Sequence, residues 1–403
     1  MKYSKRHNKL PLPLPAQTLY GSFGRIESTI SNVVNYNNPT TTIIPGGEIM
    51  WPILKREVKN YIRNPLFWIG ILIIAFMIFQ NVSPYLDIHY LAEGETIVNE
   101  YPETFRDGDV CEGYVPTEEG LRRELWEAQI RKDLMSEFEM DNAEAQAVID
   151  RTREMDIMTA CEYMKNYNFQ GTYYVYANTA YRKGTREEIN SYLAKKLENR
   201  TFSFYFSRKF ADFAGLFMGF FATLFLSVLY LQDTRKYTYE LLHTKPVSAG
   251  SYLLGKVGGG FAVCMIALSV LNLVYWILCS FWTKPQGFEV RFTNFLWATC
   301  LYILPNMLMI VCVYSLIALL LKSPLPAVPL LLLYIVYSNM GSRNAEGVYG
   351  YYGRPLAIMA RFPGNFFETA PPPMVLPNQA FLLLAALCII FLSIQIWKRR
   401  RIY

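Results

Sequence analysis

The run Pro65-Leu66-Phe67-Trp68-Ile69-Gly70-Ile71-Leu72-Ile73-Ile74-Ala75-Phe76 continues to Val82 without a charged residue. At about 1.5 Å of rise per helical residue it approaches the ~30 Å hydrocarbon thickness of a bilayer. Runs of the same character recur at 210–231, 257–282, 292–321 and 375–397, and a shorter one at 325–340 carries Pro326 and Pro329. These six runs predict an all-α membrane protein with six transmembrane helices, the fifth being short enough to be re-entrant. Composition agrees: of 403 residues, 52% are hydrophobic and 15% aromatic, while only 18% are charged, against about 25% in soluble domains. There is no glycine period, cysteine is sparse, and the basic residues form no long stripe, which excludes collagen-like, disulfide-scaffold and nucleic-acid-binding classes.

Charge is distributed unevenly. Residues 1–64 hold nine Lys/Arg and three Asp/Glu, Arg235, Lys236, Lys245 and Lys256 lie between the second and third runs, and the chain ends in Lys398-Arg399-Arg400-Arg401. With six spans all three groups fall on one side, and the positive-inside rule makes it cytoplasmic. The expected location is therefore the cell membrane, multi-pass, with both termini inside. The first 20 residues are polar and proline-containing, without the apolar core of a signal peptide, so the first span is expected to direct insertion. Residues 83–207 carry 24 Asp/Glu and 14 Lys/Arg and fall outside. The net charge of +6 is thus an acidic outer segment subtracted from a basic inner one. The low mean hydropathy of +0.14 averages apolar spans with that segment and a polar cytoplasmic N-terminal stretch, 1–50.

The outer segment is too long for a linker. Leu121, Leu125, Ile130, Leu134 and Phe138 fall at helical spacing within 118–139; Asp141 with Glu144, and Thr185 with Glu188, read as capping boxes of helices toward Met164 and Leu197. Tyr167 to Tyr181 is tyrosine-rich and β-favouring. A mostly helical extracytoplasmic domain follows. Cys111 and Cys161 lie in it, where an oxidising exterior permits a disulfide or two free thiols. Cys264, Cys279, Cys300, Cys312 and Cys388 lie in spans and read as packing residues.

Two segments flank the spans on the inner side. In 51–64, Ile53, Leu54, Val58, Tyr61 and Ile62 share one helical face, and Lys55, Arg56, Lys59 and Arg63 the other. Pro52 starts this helix and Asn64-Pro65 breaks it. That is the layout of an interfacial elbow helix with cations near anionic headgroups. In 232–256, Asp233 or Thr234 caps a short helix with Tyr237, Leu241 and Leu242 on its apolar face, Arg235, Lys236 and Glu240 exposed, and Pro246 ending it. Gly250 to Lys256 has P-loop spacing, yet Val257 replaces the Mg²⁺-holding Ser/Thr, no strand precedes it and an apolar helix follows. Nucleotide binding is not expected here.

The acidic residue, the leucine pair, Lys245-Pro246-Val247-Ser248 and Tyr252-Leu253-Leu254-Gly255-Lys256 leading into a glycine-rich span resemble the type-2 permeases of ATP-binding cassette transporters, over about residues 50–403. The resemblance implies an elbow helix before six spans per subunit and a coupling segment after the second. That segment, carried here by Arg235, Lys236, Tyr237, Glu240, Leu241, Leu242 and Lys245, would dock on a separate ATPase. It also implies that this chain is not itself an enzyme and holds no cofactor, ATP and Mg²⁺ being bound by the partner. Two permease subunits, identical or related, would assemble, most simply as an exporter. The large outer domain and the N-terminal 45 residues depart from the minimal pattern.

Asp212, Asn272 and Asn306 are the polar candidates for a pathway through the spans. Asp212 also reads as a cap near the outer end of the second span. Pro305 is expected to kink the fourth span, with Asn306 satisfying the freed groups. Gly215 with Gly219, and Gly255 with Gly259, allow close helix approach, either within the bundle or at a subunit seam. Residues 341–373, with Arg343, Arg354, Arg361 and interfacial aromatics, read as a re-entrant or surface-lying connection. His7, His89 and His243 are scattered, so no metal site is expected. A membrane-anchored sensor or assembly subunit with a ligand-binding outer domain and a secondary transporter are the alternative classes. The spans, however, carry no proton-relay chain and no evident inverted repeat.

Overall fold

The computed structural model describes residues 47–231, 247–343, 349–350 and 353–400. The N-terminal stretch before Gly47 and the segment carrying Arg235, Lys236, Tyr237, Glu240, Leu241, Leu242 and Lys245 lie outside the described residues. Five helices are long and apolar enough to cross a membrane.

The chain enters through α1 (Gly47–Ile62), which begins before Pro52 and contains it. Asn64 accepts from the Leu66 N–H at 3.0 Å and Pro65 occupies the first turn, so α2 (Pro65–Val82) starts at the position the sequence marks. Phe67, Ile71, Ile74, Ile78 and Val82 recur at three- and four-residue intervals and are buried; the opposite face, with Leu66, Ile69, Leu72, Ile73 and Phe76, is exposed, as expected of a helix with one face toward lipid.

The inserted domain follows. Its small sheet has the order β1 (Thr104–Phe105), β3 (Tyr181–Lys183), β2 (Tyr114–Pro116), antiparallel throughout, with Thr104 opposite Arg182 and Tyr114 opposite Lys183. Around it lie α3 (Glu119–Ser136), α4 (Asn142–Thr152), α5 (Ile157–Met164), α6 (Thr172–Asn178) and α7 (Arg186–Asn199). Trp126, Ile130 and Leu134 bury one stripe of α3 against Val148, Ile149 and Met164, and Trp126 donates to Thr172 O at 3.0 Å. Thr185 and Glu188 form the capping box expected of them, whereas Asp141 caps α4 alone. The tyrosine-rich stretch is not one strand: its middle is α6, because Thr172 and Tyr176, one turn apart, bury against α3, and only Tyr181–Lys183 pairs with neighbouring strands. Tertiary packing overrides the β preference of tyrosine there. Cys111 and Cys161 are both free. Cys161 belongs to the domain's own core, while Cys111 packs on the core shared with the apolar helices, so the disulfide option is not realised.

The second apolar helix, α8 (Phe202–Leu231), starts eight residues before Phe210. Phe202, Phe206 and Phe210, one turn apart, are all buried, and this aromatic stripe extends the helix through a polar stretch that hydropathy alone rejects. α9 (Ala249–Thr283) also starts early, because Ser248 accepts from the Ser251 N–H at 3.0 Å and caps it. Gly250 to Lys256 is therefore helix, not a phosphate loop. The next run is broken into α10 (Phe292–Tyr302) and α11 (Leu304–Leu321) at Ile303, with Pro305 in the first turn of α11 and Asn306 donating to Tyr302 O at 2.6 Å; the expected kink is a full break. Tyr314 OH donates to Pro324 O at 3.1 Å, holding the reversal into α12 (Ala327–Asn339). α12 is about 20 Å long, short of a bilayer core. Residues 353–374 then run without regular helix apart from one turn at Phe366–Glu368, yet Ala357, Ile358, Met359, Ala360 and Phe362 are buried. The last helix is α13 (Val375–Arg400).

The glycines of α9 receive α1. A Cβ at Gly255 would lie 2.9 Å from Ile53 Cβ, one at Gly258 3.1 Å from Leu54 Cδ1, and one at Gly259 2.8 Å from Glu57 Cβ. The small residues thus serve packing within the chain. Gly259→Ala is expected to lower stability by about 1–3 kcal/mol through overpacking, whereas Gly250→Ala, with nothing within 4 Å, leaves the unfolding midpoint in detergent unchanged. Alkylation of the denatured, unreduced protein followed by mass spectrometry is expected to label both Cys111 and Cys161; a linked peptide pair would refute it.

Candidate functional site

At one end of the bundle, α1, the start of α9 and the end of α13 converge. Glu57 and Lys256 are both buried and their Oε1 and Nζ lie 2.7 Å apart. Two charges taken out of water persist there because each neutralises the other. Tyr252 stacks on Trp397 with centroids 4.2 Å apart, in a cluster with Ala249 to which Ile53, Val247, Leu319 and Ile394 add their side chains. Tyr61 OH donates to Phe225 O at 2.9 Å, tying α1 to α8 as well. The cations Lys55, Arg56, Lys59 and Arg63 of α1 are exposed, on the polar face of the helical wheel; Ile62, expected on the apolar face, is exposed too. α8 ends at Leu231 among the described residues, and the chain is described again from Val247, which packs on this seat.

At the other end, residues 361–369 are the junction between the apolar helices and the inserted domain. Arg361 is ion-paired with Asp212 of α8 and donates to Asn339 Oδ1 at the end of α12. Lys209 donates to Gly364 O at 2.6 Å and Arg208 to Thr369 O. Asn365 donates to Gly108 O, and the Phe366 N–H donates to Asp109 Oδ2 at 2.8 Å. Tyr181 donates to Glu368, with Lys196 4.0 Å from the same carboxylate. Phe366 lies against Tyr85, Phe202 and Tyr205, and Phe367 against Tyr192 and Tyr205. A non-helical chain at this depth is permitted because its polar groups are satisfied by protein. Asp212 is thus not a cap: it lies inside α8 and is 5% exposed.

The three polar candidates for a pathway do not meet in one site. Asp212 pairs with Arg361, Asn272 accepts from Thr299 Oγ1 at 2.9 Å between α9 and α10, and Asn306 bridges the break after Tyr302. Each has a local structural partner. No group of His, Cys, Asp or Glu suited to a metal ion occurs among the described residues. The important side chains that sequence reading passed over are Asp109, Lys209, Asn365 and the Glu57–Lys256 pair. For Glu57 the signal was present, a lone acid at the centre of a cationic helix. For Lys209 it was a cation one turn from Asp212.

Asp109 is pushed up to about 6, chiefly by its burial, against the Phe366 N–H and the Lys209 ammonium, which favour the charged form. Because the folded value exceeds the ordinary 3.8, protonation favours the folded arrangement. This carboxyl contributes most below about pH 4, and the contribution is lost as the pH rises through about 6. Asp109→Asn removes the dependence. Relative to the variant, the wild type is expected to lose on the order of 2–3 kcal/mol of stability between pH about 4 and about 7. Parallel melting curves across that range would refute it.

A family model described as ABC-2 family transporter protein matches residues 51–352, from α1 to beyond α12. No curated protein and no solved structure matches the chain. The match covers about three quarters of the sequence and coincides with the apolar bundle and the domain inserted in it. The chain is therefore a multi-pass membrane protein that belongs to the ABC-2 transporter family.

Proposed function

We propose that this chain is the permease subunit of an ATP-driven exporter, moved by separate cytoplasmic ATPase chains that dock on residues 232–248. The observation that carries the reading is the seat of α1 on α9: Glu57, Lys256 and the glycine contacts join the elbow helix to the first turns of the span that the docking segment enters. A push on that segment would then move α1, α8 and α9 together rather than bend a loose loop. Both termini are cytoplasmic in this reading. The Tyr252–Trp397 stack supports it, since it sets the basic end of α13 level with the start of α9. Six crossings follow, with α12 and the buried stretch 357–362 together making the fifth. The inserted domain, 83–201, is then extracytoplasmic.

A second permease subunit, identical or related, completes the transporter, and the pathway forms between the two. The exposed faces of α2 and α13, each little buried within one chain, are available to that subunit or to lipid. A secondary transporter is less well supported, because the intramembrane Asp212 is already neutralised by Arg361. Paired substitution of Glu240 and Leu241 by alanine is expected to leave ATP hydrolysis by the partner measurable while abolishing transport and weakening co-purification of the two chains. Unchanged co-purification together with unchanged transport would overturn the coupling role.

A further inference from the structure

The seat that binds α1 to α9 also fixes what α1 shows to its surroundings. The helix Gly47–Ile62 holds two acids, Glu48 and Glu57, and Glu57 is turned inward onto Gly259 and neutralised by Lys256. Lys55, Arg56, Lys59 and Arg63 are left on the outer face with no acid among them. Trp51 is 63% exposed on the same helix. Trp68, at the end of the first turn of α2, donates its Nε1–H to Ile62 O at 2.8 Å. Together with the Asn64 cap, that bond fixes the corner between α1 and α2. Lys398 and Arg399, both exposed, follow directly on Trp397, whose stack with Tyr252 belongs to the cluster that Ile53 joins. Among the described residues none of these six cations is in an ion pair, although ion pairs are common elsewhere in the chain.

We infer that Lys55, Arg56, Lys59, Arg63, Lys398 and Arg399 form a collar that binds the phosphate groups of anionic phospholipids in the leaflet at this end of the bundle. Three features select a lipid surface as the occupant. The cations stand where the uncharged runs of α2 and α13 begin and end, which is headgroup height. They are interleaved with exposed indoles, the side chains that prefer that depth. Their charge is of one sign, complementary to acidic headgroups and repelled by zwitterion-poor, cationic surfaces. Guanidinium and ammonium groups on a helix lying along the interface give several phosphates a partner at once, so the collar favours acidic lipid over neutral lipid without a closed pocket. The inference does not depend on the ATPase reading, because it concerns a surface outside 232–248.

The test uses the full chain in neutral detergent micelles, titrated with brominated phosphatidylglycerol or brominated phosphatidylcholine while tryptophan emission is followed. The wild type is expected to reach half-quenching at roughly tenfold lower mole fraction of the anionic lipid, and about 0.5 M salt is expected to erase most of that preference. The fourfold variant Lys55→Gln, Arg56→Gln, Lys59→Gln, Arg63→Gln is expected to bring the ratio near one with an unchanged unfolding midpoint. Lys398→Gln with Arg399→Gln, which leaves α1 untouched, is expected to reduce it partway. Equal quenching by both lipids in the wild type would overturn the inference. So would a fourfold variant that keeps the preference but no longer co-purifies with its ATPase, which would make the face a protein-docking surface.

Discussion

The Glu57–Lys256 pair is the contact on which the arrangement of α1 and α9 rests. Breaking a buried pair by removing one partner costs about 3–5 kcal/mol in typical proteins, and it would leave α1 held on α9 by the contacts of Ile53 and Leu54 with the glycines and on α8 by the Tyr61–Phe225 bond. The pair is also specific in register. One turn either way along α1 would bring Ile53 or Leu54, or Asn60 or Tyr61, against Lys256 in place of a carboxylate, so the ion pair favours a single alignment of the two helices. α9, which carries that seat near its start, is 35 residues long, about 52 Å. Gln286, just past its end, accepts from the Tyr90 N–H at the root of the inserted domain. One helix thus touches α1 near one end and, through Gln286 just past its other end, the root of the inserted domain.

Much of the bundle was legible in the sequence because hydropathy and capping are local signals. The start of α2 at Asn64-Pro65, the caps of α7, and the break at Pro305 with Asn306 as its bridge all follow from neighbouring residues. What was misread depended on partners far away in the chain. The early start of α8 rests on phenylalanines whose partners, Phe288, Phe295 and Phe366, are contributed by later segments. The tyrosine-rich stretch becomes a helix because α3 offers it a face.

The site was legible only in part, and for the same reason. The helical wheel of α1 correctly exposes its four cations, but it cannot show that Glu57 faces Lys256, because that pairing spans 199 residues. Lys256 itself looked like the end of a failed phosphate loop. Asp212 stood out as an intramembrane acid, yet its partner Arg361 lies in a stretch with no helical or strand periodicity to place it. Polar groups in such a stretch are located by what they bond, and the one-dimensional pattern carries no trace of it.

The junction at 361–369 has a consequence for how the polypeptide is made. Asn365 and Phe366 reach back to Gly108 and Asp109 across 257 positions, so the inserted domain is synthesised long before the segment that closes it. Until translation passes Glu368, Asp109 lacks the Phe366 N–H, Lys209 the Gly364 carbonyl and Asp212 the Arg361 guanidinium, and the aromatic faces that Phe366 covers on Tyr85 and Phe202 stay open. Until then the nascent chain exposes apolar surface of the kind that makes folding intermediates prone to aggregation. A chain truncated before this segment would lack a complete domain even though every residue of that domain is present.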